Sequence, residues 1–406
     1  MAPPAEFEKR QCPKILAISS TYTSRMCLCV LLLLAFSGMA ISQTIVETLP
    51  GFTGNLPFKL ETGYISVGET DEVQLFYYFI ESERSPALDP LVLWNTGGPG
   101  CSGFSALAYE IGPITFDVDA FNGSLPSLIA NPYSWTRVAN IIFIDSPVGA
   151  GFSYATTSSA YVMSDTIAAE QLYTFLRKWL IAHPSFMGNP LYIGGDSYSG
   201  IIVPLLVKNI LQGLDGKSEP TMQLQGYLLG NPVTDSYIDD NSRIPFVHRV
   251  SLISDELYEE AKLYCHGDYV NVDVNNTLCV TTLDTIKMCL LQINLNQILE
   301  PQCAFASKKS TEIEWDLRVQ EADTIDSLLS LSKLPALRCR GFTYVLSYKY
   351  MNDPSVQSAL GVREGTVTDW KRCQKSVSNY TENISSTVIY HKNFSETTGL
   401  RALIYR

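Results

Sequence analysis

Short apolar runs alternate along the chain with longer stretches that have helical periodicity. A run that is short, apolar on both faces and followed by turn residues predicts a buried strand. The chain has four such runs and a possible fifth: Leu91–Trp94, Ile141–Ile144, Leu191–Ile193, Leu224–Leu229 and, as the possible fifth, Arg401–Tyr405. Two more strands are predicted at Gly63–Val67 and Val73–Ile80, around a Gly-Glu-Thr-Asp turn.

Helical patterns fill the intervals between these runs. Apolar residues at 168, 172, 175, 176 and 179 predict a helix between Ser164 and His183, and a second apolar helix is predicted from Ile201 to Leu211. Strands that alternate with helices indicate a mostly parallel sheet covered by helices on its faces. The pattern therefore predicts an α/β fold.

The stretch from about Thr234 to Tyr344 breaks this alternation. It contains helical patterns at Asp255–Tyr264 and Leu283–Leu299, few strand signals, and five of the seven cysteines that follow residue 42. We predict a helical, disulfide-tied cap insertion over the sheet. Spacing leaves the pairing open, although two local pairs are plausible: Cys265–Cys279 and Cys289–Cys303.

Residues 1–42 resemble a secretory leader. Lys14 and Arg25 precede the apolar run Met26–Phe36, and small residues follow at Ala40 and Ser42. The run is much shorter than the roughly 20 residues that span a bilayer, so we predict no stable membrane span. The alternative is a short membrane anchor or a buried N-terminal helix. The remaining residues, 43–406 of the 406-residue chain, are predicted to form one domain that includes the cap insertion.

Composition narrows the function classes. The chain carries 17% charged and 46% hydrophobic residues and a net charge of −12. These values are typical of a globular protein, and the acidic balance argues against nucleic-acid binding. No cysteine spacing suggests a metal site, and no cofactor is predicted. Five sequons follow the leader and predict N-glycans at some of them, with a secretory, extracellular or vacuolar location: Asn122, Asn275, Asn379, Asn383 and Asn393.

The strongest chemical signal is the segment Gly194–Gly200, which reads Gly-Gly-Asp-Ser-Tyr-Ser-Gly between a buried strand and a helix. A nucleophilic serine needs a sharp strand-to-helix turn, and small neighbours make room for it. Ser197 is the predicted nucleophile. The alternative is a tight turn that only packs a helix on a sheet.

A second signal lies at Trp94–Ser102, where a predicted strand runs into Gly-Gly-Pro-Gly. Glycines at this place let backbone N–H groups approach a substrate oxygen, as acyl-transfer enzymes require. No Gly-Lys-Ser/Thr follows, which argues against a phosphate loop.

Together these segments resemble the serine carboxypeptidase-like family of α/β hydrolases. Further segments support the resemblance: Tyr109–Pro113, Asn131–Trp135, Phe143–Tyr154, Tyr227–Pro232 and Leu400–Tyr405. The resemblance implies an α/β-hydrolase fold in which Ser197 is acylated and the backbone N–H groups of Gly98 and Tyr198 form the oxyanion hole.

The resemblance also implies a substrate site. Peptide-cleaving members bind the substrate's C-terminal carboxylate through an asparagine and two glutamates, and this chain has Thr96, Glu110 and Asp196 at those positions. The loop variants are more similar to the plant branch that moves acyl groups from glucose esters to alcohols in secondary metabolism. The expected partner is therefore a small-molecule acyl ester or, in the carboxypeptidase alternative, a peptide C-terminus.

The family's catalytic aspartate and histidine follow the strand that resembles Ala402–Tyr405, and neither occurs before Arg406. The four histidines present are expected at the surface, not at the serine. We therefore expect impaired turnover for the chain as written, with Leu403–Tyr405 left as an uncovered sheet edge. A further alternative is a non-catalytic secreted glycoprotein that uses the retained pocket for binding.

Overall fold

The computed structural model describes residues 42–295, 297–300, 340–374 and 379–405. The leader lies outside these residues, so the signal peptide remains a prediction. Cys303 and Cys339 lie outside them as well, and the proposed Cys289–Cys303 pair is untested; Cys289 is exposed. Gln43–Arg406 forms one compact unit.

The centre of the fold is a nine-stranded sheet. Its strands are β1 Ser42–Val46, β2 Leu60–Val67, β3 Val73–Ile80, β4 Leu91–Asn95, β7 Asn140–Ile144, β8 Tyr154–Ala155, β10 Leu191–Asp196, β11 Leu224–Gly230 and β13 Arg401–Tyr405. Two small sheets accompany it, formed by β5 Ile114–Phe116 with β6 Leu128–Ala130 and by β9 Val162–Ser164 with β12 Asn379–Thr381.

The order across the large sheet is β1-β2-β3-β7-β4-β10-β11-β13, with β8 beside β3. The pairs from β7 to β13 are parallel, whereas β2 pairs with β3 and β3 with β7 in antiparallel fashion. Non-consecutive neighbours in this order require crossover helices. The prediction of a mostly parallel α/β sheet is confirmed.

Eight α-helices occur in the described residues: α1 Asp165–Ala182, α2 Ser199–Asp215, α3 Ser236–Arg249, α4 Asp255–Cys265, α5 Thr277–Leu290, α6 Arg340–Met351, α7 Pro354–Ala359 and α8 Val388–Thr397. Alternate residues of the central strands enter two separate apolar clusters. One contains Leu93 and the α1 residues Phe175 and Trp179, and the other contains Trp94 and Trp370. Strands β4 and β7 are therefore buried on both faces, as their apolar runs predict, whereas the edge strand β13 is exposed along its length.

The helical, disulfide-tied character of the insertion is confirmed where it is described. Helices α3, α4 and α5 occupy it, and Cys265 forms a disulfide with Cys279. The helix predicted over Leu283–Leu299 is α5, but the predicted bounds are wrong, because α5 begins at Thr277 and ends at Leu290. The amide side chain of Asn276 caps α5 by accepting a hydrogen bond from the Cys279 N–H, and beyond Leu290 an apolar residue such as Leu299 is 88% exposed and adds no buried helical face.

The prediction that all four histidines lie at the surface is wrong for His183. Its ring stacks on Trp179 with 3.9 Å between centroids. Its Nε2 lies 2.8 Å from Glu61 Oε1, and its Nδ1 lies 2.8 Å from the Trp179 carbonyl oxygen. The end of α1 and strand β2 enclose this ring, so His183 joins secondary-structure elements in the interior.

A search of the described residues finds no helix with the length and apolar character needed to cross a membrane.

Candidate active site

Ser197 occupies the turn between β10 and α2. It is exposed, while its neighbours Gly195, Tyr198 and Ser199 are buried. Its φ of 53° lies in the left-handed region, which a non-glycine residue adopts at a cost of order 1–3 kcal/mol. This strained turn leaves the Ser197 hydroxyl exposed to solvent, as a nucleophilic serine requires.

Backbone hydrogen bonds hold this turn from both sides. The Ser197 N–H donates to the Gly230 carbonyl at 2.9 Å, and the Ser197 carbonyl accepts from the N–H groups of Gly200 and Val233 at 3.0 and 2.8 Å. A Cβ on Gly200 would lie 2.2 Å from the Val233 carbonyl oxygen, and one on Gly195 would lie 2.4 Å from the Asn95 carbonyl oxygen. The small residues of the motif are therefore needed for close backbone packing.

The Gly-Gly-Pro-Gly loop lies directly against the serine. A Cβ on Gly97 would stand 2.7 Å from the Tyr198 nitrogen and 2.9 Å from the Ser197 Cβ. Gly98 has a φ of 123°, which favours glycine. Within the described part of the chain, no hydrogen bond occupies the backbone N–H of Gly98 or of Tyr198. Two donors next to an exposed hydroxyl have the arrangement that an oxyanion site requires.

A disulfide braces this loop. Cys101 is bonded to Cys373, 272 positions later in the sequence. On either side of it, the Ser102 N–H donates to the Arg372 carbonyl at 2.7 Å and the Gln374 N–H donates to the Gly100 carbonyl at 2.9 Å. The loop therefore has covalent and hydrogen-bonded support from the C-terminal part of the chain.

The buried carboxylate of Asp145 supports the same loop through hydrogen bonds. Asp145 accepts hydrogen bonds from the Ser102 hydroxyl at 2.6 Å, the Gly103 N–H at 2.8 Å and the Phe152 N–H at 2.8 Å. Burial raises the pKa of Asp145 to about 7, against the opposing effect of these three donors. Asp145 lies in the segment Phe143–Tyr154, and no pattern in the sequence indicates its structural role.

Two of the three predicted substrate residues share one neighbourhood. Burial raises the pKa of Asp196 to about 6, although the Gly97 N–H and the charge of Arg372 act in the opposite direction. The Tyr405 hydroxyl has a raised pKa through burial and then through the negative charges of Glu110 and Asp196. Glu110 is exposed. The charges of both carboxylates therefore reach the Tyr405 hydroxyl at the end of β13.

Thr96 behaves differently from the other two. It is 4% exposed, and its hydroxyl has no hydrogen-bond partner in the described residues. The substrate role of Thr96 remains a prediction, as do those of Glu110 and Asp196.

No histidine is hydrogen-bonded to Ser197, and all four histidines are within the described residues. His248 contacts Asp255, and His391 contacts the Tyr227 hydroxyl.

Among the described residues there is also no group of three or more side chains suited to hold a metal. The five sequon asparagines are all exposed; their glycosylation remains a prediction.

A parallel sheet whose strand ends in an exposed, left-handed serine at a helix start defines an α/β hydrolase. The sequence matches the serine carboxypeptidase family over residues 50–406. The chain belongs to this family.

Curated relatives agree with this assignment. Serine carboxypeptidase-like 7 of Arabidopsis thaliana is 43% identical over 96% of this chain and 82% of its own length. Serine carboxypeptidase-like 16 of the same plant is 46% identical over 92% of this chain and 79% of its own length.

A solved structure supports the fold. Kex1Δp, a prohormone-processing carboxypeptidase from Saccharomyces cerevisiae, superposes with a TM-score of 0.65 over 89% of this chain and 77% of its own. At 19% identity this likeness concerns the fold alone.

Proposed function

We propose that this protein transfers acyl groups through an acyl ester on Ser197. The carrying observation is the exposed Ser197 hydroxyl beside the unoccupied N–H groups of Gly98 and Tyr198. The Ser197 oxygen attacks the acyl carbonyl and loses its proton to a base, and the oxyanion is held by the two N–H groups. Collapse of this intermediate releases the first alcohol or amine and leaves the acyl-serine, which a second alcohol or water then cleaves.

The acyl donor is proposed to be a glucose ester, with an alcohol as acceptor. A peptidase of this family needs a site for a C-terminal carboxylate, and here that site has a buried Thr96 hydroxyl and the short side chain of Asp196. Threonine donates one hydrogen bond where asparagine donates two. These changes weaken carboxylate recognition, and they favour transfer between alcohols over removal of C-terminal residues.

The base and its orienting acid are proposed to be the family's histidine and aspartate, which follow the strand that resembles β13. Loss of either residue is expected to impair acyl transfer. A serine protease without its triad members retains about 10³–10⁴-fold catalysis over water from the oxyanion hole and binding.

The test is an assay of the natural protein on two substrate classes. The C-terminal peptide is first identified by mass spectrometry, and the protein is then offered glucose esters with an alcohol acceptor, and blocked dipeptides. Transfer from glucose esters without release of C-terminal residues supports the proposal. Dipeptide cleavage by a protein that ignores glucose esters makes it a carboxypeptidase and contradicts the choice of substrate.

The pKa of Asp196 predicts the pH dependence for substrates that carry a carboxylate. Below about pH 6 Asp196 is largely neutral and donates a hydrogen bond, whereas above about pH 6 its charge repels a carboxylate. We expect KM for an acceptor or peptide with a free carboxylate to rise as pH increases through this value.

The controls for this prediction are the matching uncharged amide of the substrate and the Asp196→Asn variant. Neither should show the rise in KM. An equal rise with the amide substrate would show that another group titrates.

We also propose that the protein enters the secretory pathway and is located outside the cell or in the vacuole. The support is the apolar leader at Met26–Phe36 together with five exposed sequons. A mobility shift after glycosidase treatment, lost when the sequon asparagines are replaced by glutamine, tests this proposal.

A further inference from the structure

A second buried carboxylate lies behind the candidate oxyanion site. Asp165 is the first residue of α1 and is 0% exposed. Its Oδ1 accepts hydrogen bonds from the hydroxyls of Tyr198 and Tyr380, both at 2.8 Å, and its Oδ2 accepts from the Ile384 N–H at 2.9 Å. A buried carboxylate with three donors is a fixed structural centre, since losing a donor leaves charge without compensation.

One of these donors belongs to the residue that follows the nucleophile. Tyr198 is 9% exposed, and its ring packs edge to face against Tyr380 at 6.2 Å between centroids. The bond to Asp165 fixes the far end of this side chain, and the Tyr198 carbonyl accepts from the Ile201 N–H at 3.0 Å at the start of α2. Backbone and side chain of Tyr198 are thus held at opposite ends.

The backbone N–H of Tyr198, which has no hydrogen bond to any described residue, lies between these two anchors. The same small cleft is lined by Tyr198, Tyr380, Pro99 and Thr96. The ring held by Asp165 therefore lies against the Gly-Gly-Pro-Gly loop that supplies the other oxyanion donor. A shift in the ring moves the donor at 198 relative to that loop.

We propose that Asp165 is a positioning residue for acyl transfer. By accepting the Tyr198 and Tyr380 hydroxyls, it fixes the Tyr198 N–H where the oxyanion forms. This inference rests on the proposed acyl-serine chemistry. Asp165 does not touch the substrate, and it acts through Tyr198.

The first test compares kcat per active site, titrated with a fluorophosphonate, in natural protein carrying Asp165→Ala or Tyr198→Phe. Removing an oxyanion donor costs about 10²–10³ in kcat, so displacing one is expected to lower kcat by about tenfold to a hundredfold with KM unchanged. Asp165→Asn keeps an oxygen for the two tyrosines, and it should recover most of the loss. A kcat per titrated site within about threefold of wild type in Tyr198→Phe would overturn the proposal.

Tyr350→Phe is the matched control. The Tyr350 ring is 0% exposed and its hydroxyl donates to the Pro50 carbonyl at 2.7 Å, away from the serine. The variant loses one buried tyrosine hydrogen bond, and its kcat per site should stay at the wild-type value. An equal fall in this control would assign the effect to general loosening of the fold.

A second measurement does not depend on turnover. In protein labelled with nitrogen-15 tyrosine, the Tyr198 backbone amide resonance should shift in Asp165→Ala and remain in place in Tyr350→Phe. If the wild-type protein shows no acyl transfer at all, the proposed function fails. Independently of that result, an unshifted Tyr198 amide resonance in Asp165→Ala overturns the positioning inference. A shifted resonance with unchanged kcat per site would overturn its catalytic consequence.

Discussion

Ser197→Ala is expected to remove acyl transfer by the natural protein, while substrate binding remains. The substitution deletes the hydroxyl that forms the acyl ester. In a serine protease, loss of the nucleophile costs about 10⁶ in kcat, and we expect a fall of at least about 10⁴. Because the Ser197 side chain is exposed, its removal should leave stability within about 0.5 kcal/mol of wild type. Turnover on glucose esters and thermal unfolding measure the two effects.

Ser199→Ala is the matched control, since it removes a hydroxyl two residues away. The Ser199 hydroxyl is buried, donates to the Asn95 carbonyl at 2.7 Å and accepts from the Asn95 amide at 2.8 Å. Its loss should lower stability and leave turnover per folded molecule within a few-fold. Full activity in Ser197→Ala would contradict the proposed nucleophile and favour a binding role for the pocket.

Asp145→Ala is expected to destabilise the fold by about 3 kcal/mol or more. The substitution leaves the Gly103 and Phe152 N–H groups and the Ser102 hydroxyl without their acceptor in the interior. Each buried donor left unpaired costs about 1–3 kcal/mol. Urea unfolding measures the loss. Asp215→Ala, which changes an exposed aspartate at the end of α2, should stay within about 0.5 kcal/mol of wild type.

The raised pKa of Asp145 also predicts how the stability of the fold changes with pH. Its folded-state pKa of about 7 exceeds the ordinary value of 3.8, so the folded state binds more protons between these values. The contribution of Asp145 to stability therefore falls as pH rises through this window. Asp145→Asn should remove that slope. A slope unchanged in Asp145→Asn would assign it to other groups.

The elements closest to the turn at Ser197 could be predicted from the sequence. The apolar runs Leu91–Trp94 and Ile141–Ile144 are buried strands, and the turn at Ser197 requires small residues that the sequence displays as Gly195, Ser199 and Gly200. At these positions the residues that form the sequence pattern are the same residues that the local backbone geometry requires. The Cys265–Cys279 disulfide, whose members are 14 positions apart, is one of the two local pairs between which the spacing made no choice.

Features that depend on distant approach could not be predicted. Nothing local marks Cys373 as the partner of Cys101, because their pairing follows from how residues 371–374 lie against the loop. Asp145 and Asp165 have no distinctive pattern, since a carboxylate becomes a structural centre only when donors from other segments surround it. The burial of His183 could not be predicted for the same reason. In the sequence it lies at the end of a helix, whereas in the structure the Glu61 carboxylate from a distant strand contacts its ring.

The most direct test of the central claim is to trap the acyl-enzyme. Natural protein whose C-terminal peptide has been identified is incubated with a slowly turned-over acyl ester, and its peptides are mapped by mass spectrometry. We predict one added acyl group on the peptide that carries Ser197, and none in Ser197→Ala. A protein that carries the family's aspartate and histidine, turns over the ester and shows no adduct on Ser197 would contradict the account.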